Sequence, residues 1–358
     1  MTRRWRLAVL AAALAAGLAG CSTLGYYSQA AQGQIALLTQ SRPIDEVIAD
    51  PATTAQLKTR LASARQIRAY AVERLALPDN QSYRNYTALA RPYVVWNVVA
   101  TPALSMRPIQ WCFPVAGCVS YRGYYGKDDA AAYAGELRAA GYDVQMGGVT
   151  AYSTLGYFND PLISTFIHYP DAELARLIFH ELSHQVVYVA GDSQFNESFA
   201  SAVEEAGVEQ WLERFGNQAM RENYGRYMVR RQAFLNLLLG CRRALEANYK
   251  SAASDGVKLA EKGRLFAQLH SDYARLKTEW GGYAGYDRFF AEPLSNAHLA
   301  AVATYSDFVP AFRALLKREG SFPAFYAAAR SLAALDKPER HRRLAALGGV
   351  LPHAIQDE

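Results

Sequence analysis

Apolar residues recur at close to helical spacing over most of the chain. In the segment 51–77 they are Leu57, Leu61, Ile67, Ala71 and Leu75. Side chains at this spacing lie near one face of a helix, so the pattern predicts an amphipathic helix there. The same period predicts helices over 128–140, over 171–277 with brief breaks, and over 295–318 and 322–346.

Two stretches favour strands instead. Residues 93–99 are almost all β-branched or aromatic, a composition that packs well in a sheet. Residues 142–158 alternate loosely, are rich in Val, Thr and Tyr, and contain Gly147 and Gly148, so we expect one or two strands there. Because helical segments outnumber these strands, the pattern predicts an α+β fold that is predominantly helical and has a small sheet.

The first twenty residues have the pattern of a secretory signal. Three arginines precede a short apolar run, and small residues follow it. Residues 18–21, Leu-Ala-Gly-Cys, resemble the lipobox of bacterial lipoproteins, whose cysteine is acylated and becomes the first residue. The alternative is an ordinary signal peptide with an incidental cysteine. With Ser22 after Cys21, the resemblance implies a cell-envelope protein that its lipid holds on the periplasmic face, more specifically at the outer membrane.

The charge balance bears on possible partners. Removing Arg3, Arg4 and Arg6 from the 38 basic side chains leaves 35, against 33 acidic ones. The chain after the signal is therefore close to neutral, and it contains no basic block. Nucleic acid is not an expected partner. After residue 20, no stretch approaches the length of uncharged apolar sequence that a transmembrane helix needs.

Three cysteines remain if Cys21 is acylated. Cys112 and Cys118 enclose a short loop with Pro114 and Gly117, and an oxidising compartment permits disulfides, so we expect these two to pair. The chain has no Cys-x-x-Cys, which argues against a metal site built on cysteine.

One segment is the clearest indication of a catalytic site in the sequence: His180-Glu181-Leu182-Ser183-His184. Positions i and i+4 of a helix share a face, so both imidazoles can bind one metal ion. Glu181 points away from that face and can act as the general base of a zinc hydrolase. The alternative without a metal site is a surface helix with two unrelated histidines. The apolar residues around the motif argue against this alternative, because they predict a buried helix. These residues are Leu177, Ile178, Leu182, Val186 and Val189.

A catalytic zinc site needs a third protein ligand. We expect the helix to continue about six residues past His184, to Ala190, and the chain to reverse at 191–193. Glu197 would then lie level with the histidines on the next, antiparallel helix. Glu204 is the alternative candidate for the third ligand. If it is not a ligand, it can instead orient the imidazole ring of one of the histidines.

These residues also carry a family resemblance. His180-Glu181-Leu182-Ser183-His184-Gln185 with 196–200, Asn-Glu-Ser-Phe-Ala, resembles the HELAHQ and NEGFA motifs of gluzincin aminopeptidases and of a bacterial family of lipoprotein aminopeptidases. The resemblance implies a zincin-like metallopeptidase with a small sheet beside an HExxH helix pair. It also implies one zinc ion on His180, His184 and Glu197, with Glu181 as the base. Two departures stand out: only twelve residues separate His184 from Glu197, and no GxMEN stretch is present.

Peptide hydrolysis also needs a group that stabilises the oxyanion, and related enzymes use a Tyr or a His. The candidates are Tyr305, Tyr224 and Tyr227, each with the alternative reading of a packed or surface tyrosine. Residues 148–154 precede the HExxH helix, where such enzymes place an edge strand to which an extended peptide can add.

The sequence therefore predicts a signal peptide, 1–20, and one zinc metallopeptidase domain, 21–358. An N-terminal region, 21–140, precedes a catalytic region with a helical C-terminal part, 141–358. We expect a zinc-dependent peptidase, an aminopeptidase by resemblance, with peptide substrates and a lipid anchor. The alternatives are an endopeptidase or cell-wall peptide amidase, and a non-catalytic envelope lipoprotein that zinc stabilises.

Overall fold

The computed structural model describes residues 25–113, 117–300 and 308–348. Cys21, the predicted lipidation site, and Tyr305, the predicted oxyanion stabiliser, lie outside the described residues. Helices predominate and the strands form small sheets, which confirms the predicted α+β class. Within the described part of the chain, no helix has the length and apolar character needed to cross a membrane.

The helices follow the predicted segments closely. In chain order, the described helices are α1 (25–39), α2 (Ile44–Ala49), α3 (Ala55–Glu73), α4 (Lys127–Ala139), α5 (Asp171–Ser183), α6 (Ser193–Phe215), α7 (Gln218–Lys250), α8 (Asp255–Glu279), α9 (Asn296–Ala300), α10 (Val309–Glu319), α11 (Phe322–Ala333) and α12 (Lys337–Gly348). A 3₁₀ helix covers Asp287–Phe290. The segment 51–77 is helical over a shorter range than predicted, because Thr54 caps the first turn of α3 and Ala76 takes a left-handed conformation with φ +52°.

The strands of the described residues are β1 (Arg42–Pro43), β2 (Asn85–Thr87), β3 (Val95–Pro102), β4 (Trp111–Phe113), β5 (Gly117–Val119), β6 (Arg122–Tyr124), β7 (Tyr142–Val149) and β8 (Leu162–Ile163). One sheet has the order β6-β3-β7 and is antiparallel, a second has the order β1-β2-β8, and β4 pairs with β5. The predicted strand 93–99 is β3, shifted toward the C-terminus.

The segment 142–158 forms one strand, β7, followed by a loop. Asp160 holds this loop, because its carboxylate accepts hydrogen bonds from the backbone N–H and the hydroxyl of Thr154, at 2.9 and 2.8 Å. In the described sheet β7 pairs only with β3, so it is the edge strand expected before the HExxH helix. The residues from 150 to 154 lie beyond the strand itself.

The largest hydrophobic core lies between α3, α5, α6 and the C-terminal helices α10 and α11. Its centre includes the fully buried rings of Phe179, Phe199 and Phe312. Helices α5 and α6 approach closely at Gly207, where a Cβ atom would come within 2.9 Å of the Phe179 ring. A second cluster lies between α7 and α8, and a third lies between α4 and the β6-β3-β7 sheet. The tight α5–α6 pair thus lies in the main core.

The predicted continuation of the HExxH helix to Ala190 is wrong, because α5 ends at Ser183. The side chain of Asn196 provides the physical reason. Its amide accepts a hydrogen bond from the Val189 N–H and donates one to the Val189 carbonyl, both at 2.8 Å. These bonds replace the partners that a longer helix would supply, so the chain turns early and α6 begins at Ser193.

Candidate metal centre

Helix α5 carries the HExxH residues, and its start is fixed from outside. Asp171 lies in its first turn, where negative charge is favourable. The guanidinium of Arg60, on α3, donates hydrogen bonds to the Asp171 carboxylate and to the carbonyls of Ile167 and Tyr169. Arg60 is partly buried and contacts both α5 and the segment before it. These bonds hold α5 in a defined position against α3.

Three side chains converge at the α5–α6 interface: His180, His184 and Glu197. The Nε2 atoms of the two histidines lie 3.2 Å apart. The Glu197 carboxylate lies 3.2 Å from His180 Nε2 and 3.8 Å from His184 Nε2. A metal held tetrahedrally by such N and O atoms at about 2.1 Å has ligand atoms about 3.4 Å apart. The spacing therefore fits one metal ion bound by these three residues.

Glu204 lies on the other side of the His180 ring. Its carboxylate is 2.8 Å from His180 Nδ1 and pairs with the Arg176 guanidinium at 3.1 Å. Burial acts to raise the pKa of Glu204, but Arg176 and His180 outweigh burial and lower the pKa to about 2. Glu204 is thus an anion beside Nδ1, and Nε2 of His180 is the ring nitrogen that faces Glu197 and His184. Of the two glutamates, only Glu197 faces both histidines.

The charges around His180 favour a cation. Burial acts to lower the pKa of His180, but the carboxylates of Glu204 and Glu197 raise it to about 10. Burial lowers the pKa of His184 to about 4, and the neighbouring His180 acts in the same direction. One positive charge is therefore stabilised between these groups, whether a proton or a metal ion supplies it. This electrostatic balance is a second observation that fits a metal ion at the site.

Glu181 lies beside the three converging side chains and is only partly exposed. Burial raises its pKa to about 7; Glu197 and Asp160 add to this rise and His180 opposes it. A carboxyl group with a pKa near neutrality can take up and release a proton under working conditions. Its place next to the metal-binding group suits it to that exchange.

The turn between α5 and α6 is tied to the last described helix. Asp192 caps α6 by accepting a hydrogen bond from the Phe195 N–H at 3.2 Å. The same carboxylate pairs with Arg340 at 2.8 Å and with His341 Nε2 at 2.9 Å, and all three side chains are buried. Helix α12 thereby positions the start of the helix that carries Glu197.

A disulfide-linked hairpin lies next to this turn. The structure pairs Cys112 with Cys118, across β4 and β5. A Cβ atom at Gly117 would come within 3.4 Å of the Ala190 side chain and 3.2 Å of the Gly191 nitrogen, so the start of β5 contacts the α5–α6 connection.

Tyr121 follows this hairpin and is a residue that the sequence analysis does not single out. Its side chain is 46% exposed, and Glu197 and Glu181 are among the groups whose charges act on it. Its phenol hydroxyl can donate a hydrogen bond to a substrate. The available sequence signal was its position three residues after Cys118, in a stretch rich in Gly and Tyr.

The other tyrosine candidates lie elsewhere. Tyr224 and Tyr227 stack on each other at 6.0 Å between ring centroids. Glu204 and Arg176 are the main charged groups acting on Tyr224. Both rings therefore lie behind His180, on the side of the Arg176–Glu204 pair.

Comparison with known proteins adds one match. A family model described as "Putative aminopeptidase" matches residues 25–344. The chain belongs to this family. A search of curated proteins and a search of solved structures each found no match. The match to the family covers α5, α6, the hairpin and α12 as far as Leu344, so the residues that build the site lie within the matched region. The gluzincin type and the lipid anchor stay predictions.

Proposed function

We propose that the protein is a zinc-dependent peptidase of the cell envelope, and an aminopeptidase as its family indicates. The observation that carries the proposal is the convergence of His180, His184 and Glu197 with Glu181 beside them. Two imidazoles and one carboxylate form a ligand set typical of catalytic zinc. Among the described residues, no fourth His, Cys, Asp or Glu joins the group. That favours a site with an open position over a closed structural site.

His180, His184 and Glu197 would hold the ion, and their side chains are 15%, 8% and 21% exposed, so each keeps a small accessible surface. When bound, zinc would act as a Lewis acid toward the substrate carbonyl and lower the pKa of water. Glu204 and Arg176 hold the ring of His180 in place from behind. Asn196 and Asp192 set the turn from which Glu197 is presented.

Glu181 acts as the general base in this proposal. It takes a proton from the water that attacks the peptide carbonyl and then passes a proton to the leaving amine. Burial raises the pKa of Glu181, which makes its carboxylate a stronger base than that of an exposed glutamate. The hydroxyl of Tyr121 donates a hydrogen bond to the carbonyl oxygen as negative charge develops on it.

The peptide and the membrane are the proposed partners. The edge of β7 offers backbone groups to which an extended peptide can add as a further strand. Acylation of Cys21 would anchor the chain at the periplasmic face, and outer-membrane sorting follows from Ser22 in the same proposal. An endopeptidase or a cell-wall amidase would use the same residues, and only the substrate distinguishes them.

The test compares the form that begins at Ser22 with its Glu181→Gln variant. We expect about one zinc ion per chain in both proteins, because Glu181 is not a ligand. Peptide hydrolysis should fall by about 10²- to 10⁴-fold in the variant, since the general base is lost. Peptides with free and blocked N-termini then separate aminopeptidase from endopeptidase activity. Absence of zinc from both proteins after reloading would contradict the proposal, and zinc without hydrolysis in the parent would favour a non-catalytic lipoprotein.

A further inference from the structure

Helix α1 lies on the surface and carries no charged side chain. Residues 22–41 contain no Asp, Glu, Lys or Arg. A surface helix of a globular protein normally presents charged and polar residues to the solvent and apolar residues to the core. The exposed positions of α1 are instead occupied by uncharged residues only. This helix therefore differs from one that has only water outside it.

Two glutamines of α1 face the protein and fix the orientation of the helix. Gln29 Oε1 accepts a hydrogen bond from the Tyr125 N–H at 3.0 Å. Gln34 Oε1 accepts from the Tyr125 hydroxyl at 2.7 Å and also from the Tyr152 hydroxyl. Leu37, on the same side, is 2% exposed and packs in the main core. These contacts hold α1 in one orientation, so its outer face points in a defined direction.

The outer face of α1 carries exposed apolar side chains and continues onto a neighbouring loop. Tyr27 is 42% and Ile35 is 60% exposed. Leu38 lies about three turns after Tyr27, and so on the same side of the helix. It lines a surface pocket of about 310 Å³ together with Tyr157 and Phe158, from the loop between β7 and β8. These two rings are 69% and 50% exposed. We call Tyr27, Ile35, Tyr157 and Phe158 the α1 patch.

The position of the α1 patch in the chain indicates what it contacts. Exposed apolar side chains that cluster at one surface mark an interaction site. Only residues 22–24 separate Cys21 from α1, so the start of α1 lies at most about 14 Å from Cys21. An acyl chain on Cys21 therefore brings a bilayer within reach of α1 at any protein concentration. Tyrosine also suits a membrane surface, because its ring is apolar and its hydroxyl can stay hydrated.

We propose that the α1 patch docks on the surface of the lipid bilayer and holds the protein there in one orientation. The inference rests on the lipid anchor in the proposed function. Burying apolar side chains at the boundary between headgroups and acyl chains supplies the attraction. The lack of charge on α1 matters, because moving a charged side chain out of water is costly. Since the attraction is apolar, binding should depend little on salt.

The test uses the form that begins at Ser22, which has no acyl chain, and vesicles of phosphatidylethanolamine and phosphatidylglycerol. Cosedimentation at low and at high salt measures the partition coefficient. We expect it to fall by about 10- to 100-fold in the double variant Tyr157→Ser/Phe158→Ser, because two rings no longer leave water. The matched control is Val229→Ser/Val257→Ser, which changes residues of α7 and α8 that are 69% and 59% exposed. The control should bind as the parent does, and equal thermal midpoints would show that all three proteins are folded.

Three outcomes would overturn the proposal. The first is a parent that does not bind vesicles or binds them as well as the double variant does, and the second is binding that disappears at high salt. The third is a parent that forms a dimer without vesicles while the double variant is a monomer, since a second copy would then cover the patch. The mass of the chain isolated from membranes tests the anchor separately. An unmodified Cys21 would contradict that part of the proposed function, and the vesicle assay would still decide whether the patch contacts a bilayer.

Discussion

Substitution of Asp192 tests how the fold supports the three candidate metal ligands. The carboxylate is 1% exposed and lies between the Arg340 guanidinium and the His341 imidazole of α12. The substitution Asp192→Asn removes the charge and replaces one acceptor oxygen by an amide group that cannot accept from Arg340 or His341. Asparagine is as good an N-cap as aspartate, so the cap on the Phe195 N–H can remain. The variant therefore removes the buried ion pair and keeps the helix cap.

The size of the effect follows from burial. Breaking a buried ion pair by neutralising one partner costs about 3–5 kcal/mol, because the other charge is left without compensation. Arg340 is 4% exposed but keeps hydrogen bonds to the carbonyls of Ala333 and Leu335, at 3.1 and 2.7 Å. We therefore expect the lower end of this range, about 3 kcal/mol. In a chain of this length that corresponds to a fall of roughly 4–5 °C in the melting temperature.

The pH dependence follows from the pKa of Asp192. Burial acts to raise this pKa, but His341, the Phe195 N–H and Arg340 outweigh it, so the pKa is lowered from 3.8. A carboxyl group with a lowered pKa in the folded state stabilises the protein above the pKa of the unfolded chain, about 3.9. That contribution is lost as the pH falls further, through the folded-state pKa. The difference between parent and variant should be full at neutral pH and shrink below about pH 4.

Urea unfolding of the parent and Asp192→Asn, at neutral pH and near pH 3, measures both effects. The matched control is Glu209→Gln, the same acid-to-amide change in the exposed pair with Arg313 at 2.9 Å. An exposed pair contributes about 0–1 kcal/mol, so the control should unfold almost as the parent does. Equal, small losses in both variants would refute the reasoning. Zinc affinity should also fall in Asp192→Asn, because Asp192 fixes the start of the helix that carries Glu197.

Two further predictions concern the site itself. Glu204→Gln should weaken zinc binding by about 10- to 100-fold, because the His180 ring loses its anionic partner. Competition with a chelator measures the affinity, and an unchanged affinity would show that Glu204 only neutralises Arg176. Tyr121→Phe should lower kcat for peptides by about 10²- to 10³-fold with zinc content unchanged, because one hydrogen-bond donor to the oxyanion is removed. A change in KM alone would instead make Tyr121 a residue that binds substrate.

Much of the metal-binding group could be predicted from local sequence. The spacing of His180 and His184 is a property of one helix, and the helix itself follows from the apolar residues around it. The acidic third ligand was predictable as well, because Glu197 comes soon after a short turn. The predicted length of that turn was wrong. The side chain of Asn196, seven residues away from Val189, ends the helix early through two hydrogen bonds that no periodicity reveals.

Other site residues depend on contacts between distant segments. Asn80 and Gln185 are 105 residues apart in the chain, and a 2.6 Å hydrogen bond joins them. The disulfide hairpin that precedes Tyr121 packs on the α5–α6 turn through Gly117. With twenty-three tyrosines in the chain, composition cannot separate those that face the site from those in the core.

The sequence by itself determined the helical class, the pair of histidines on one helical face and the glutamate next to the first of them, because hydrophobic period and i,i+4 spacing are local properties. Only the tertiary structure decided which glutamate faces both histidines, since that depends on where α6 begins and how closely Gly207 lets it approach α5. It also decided the burial and charge around Glu181. Those arise from segments far apart in the chain, whose approach depends on packing of the whole core.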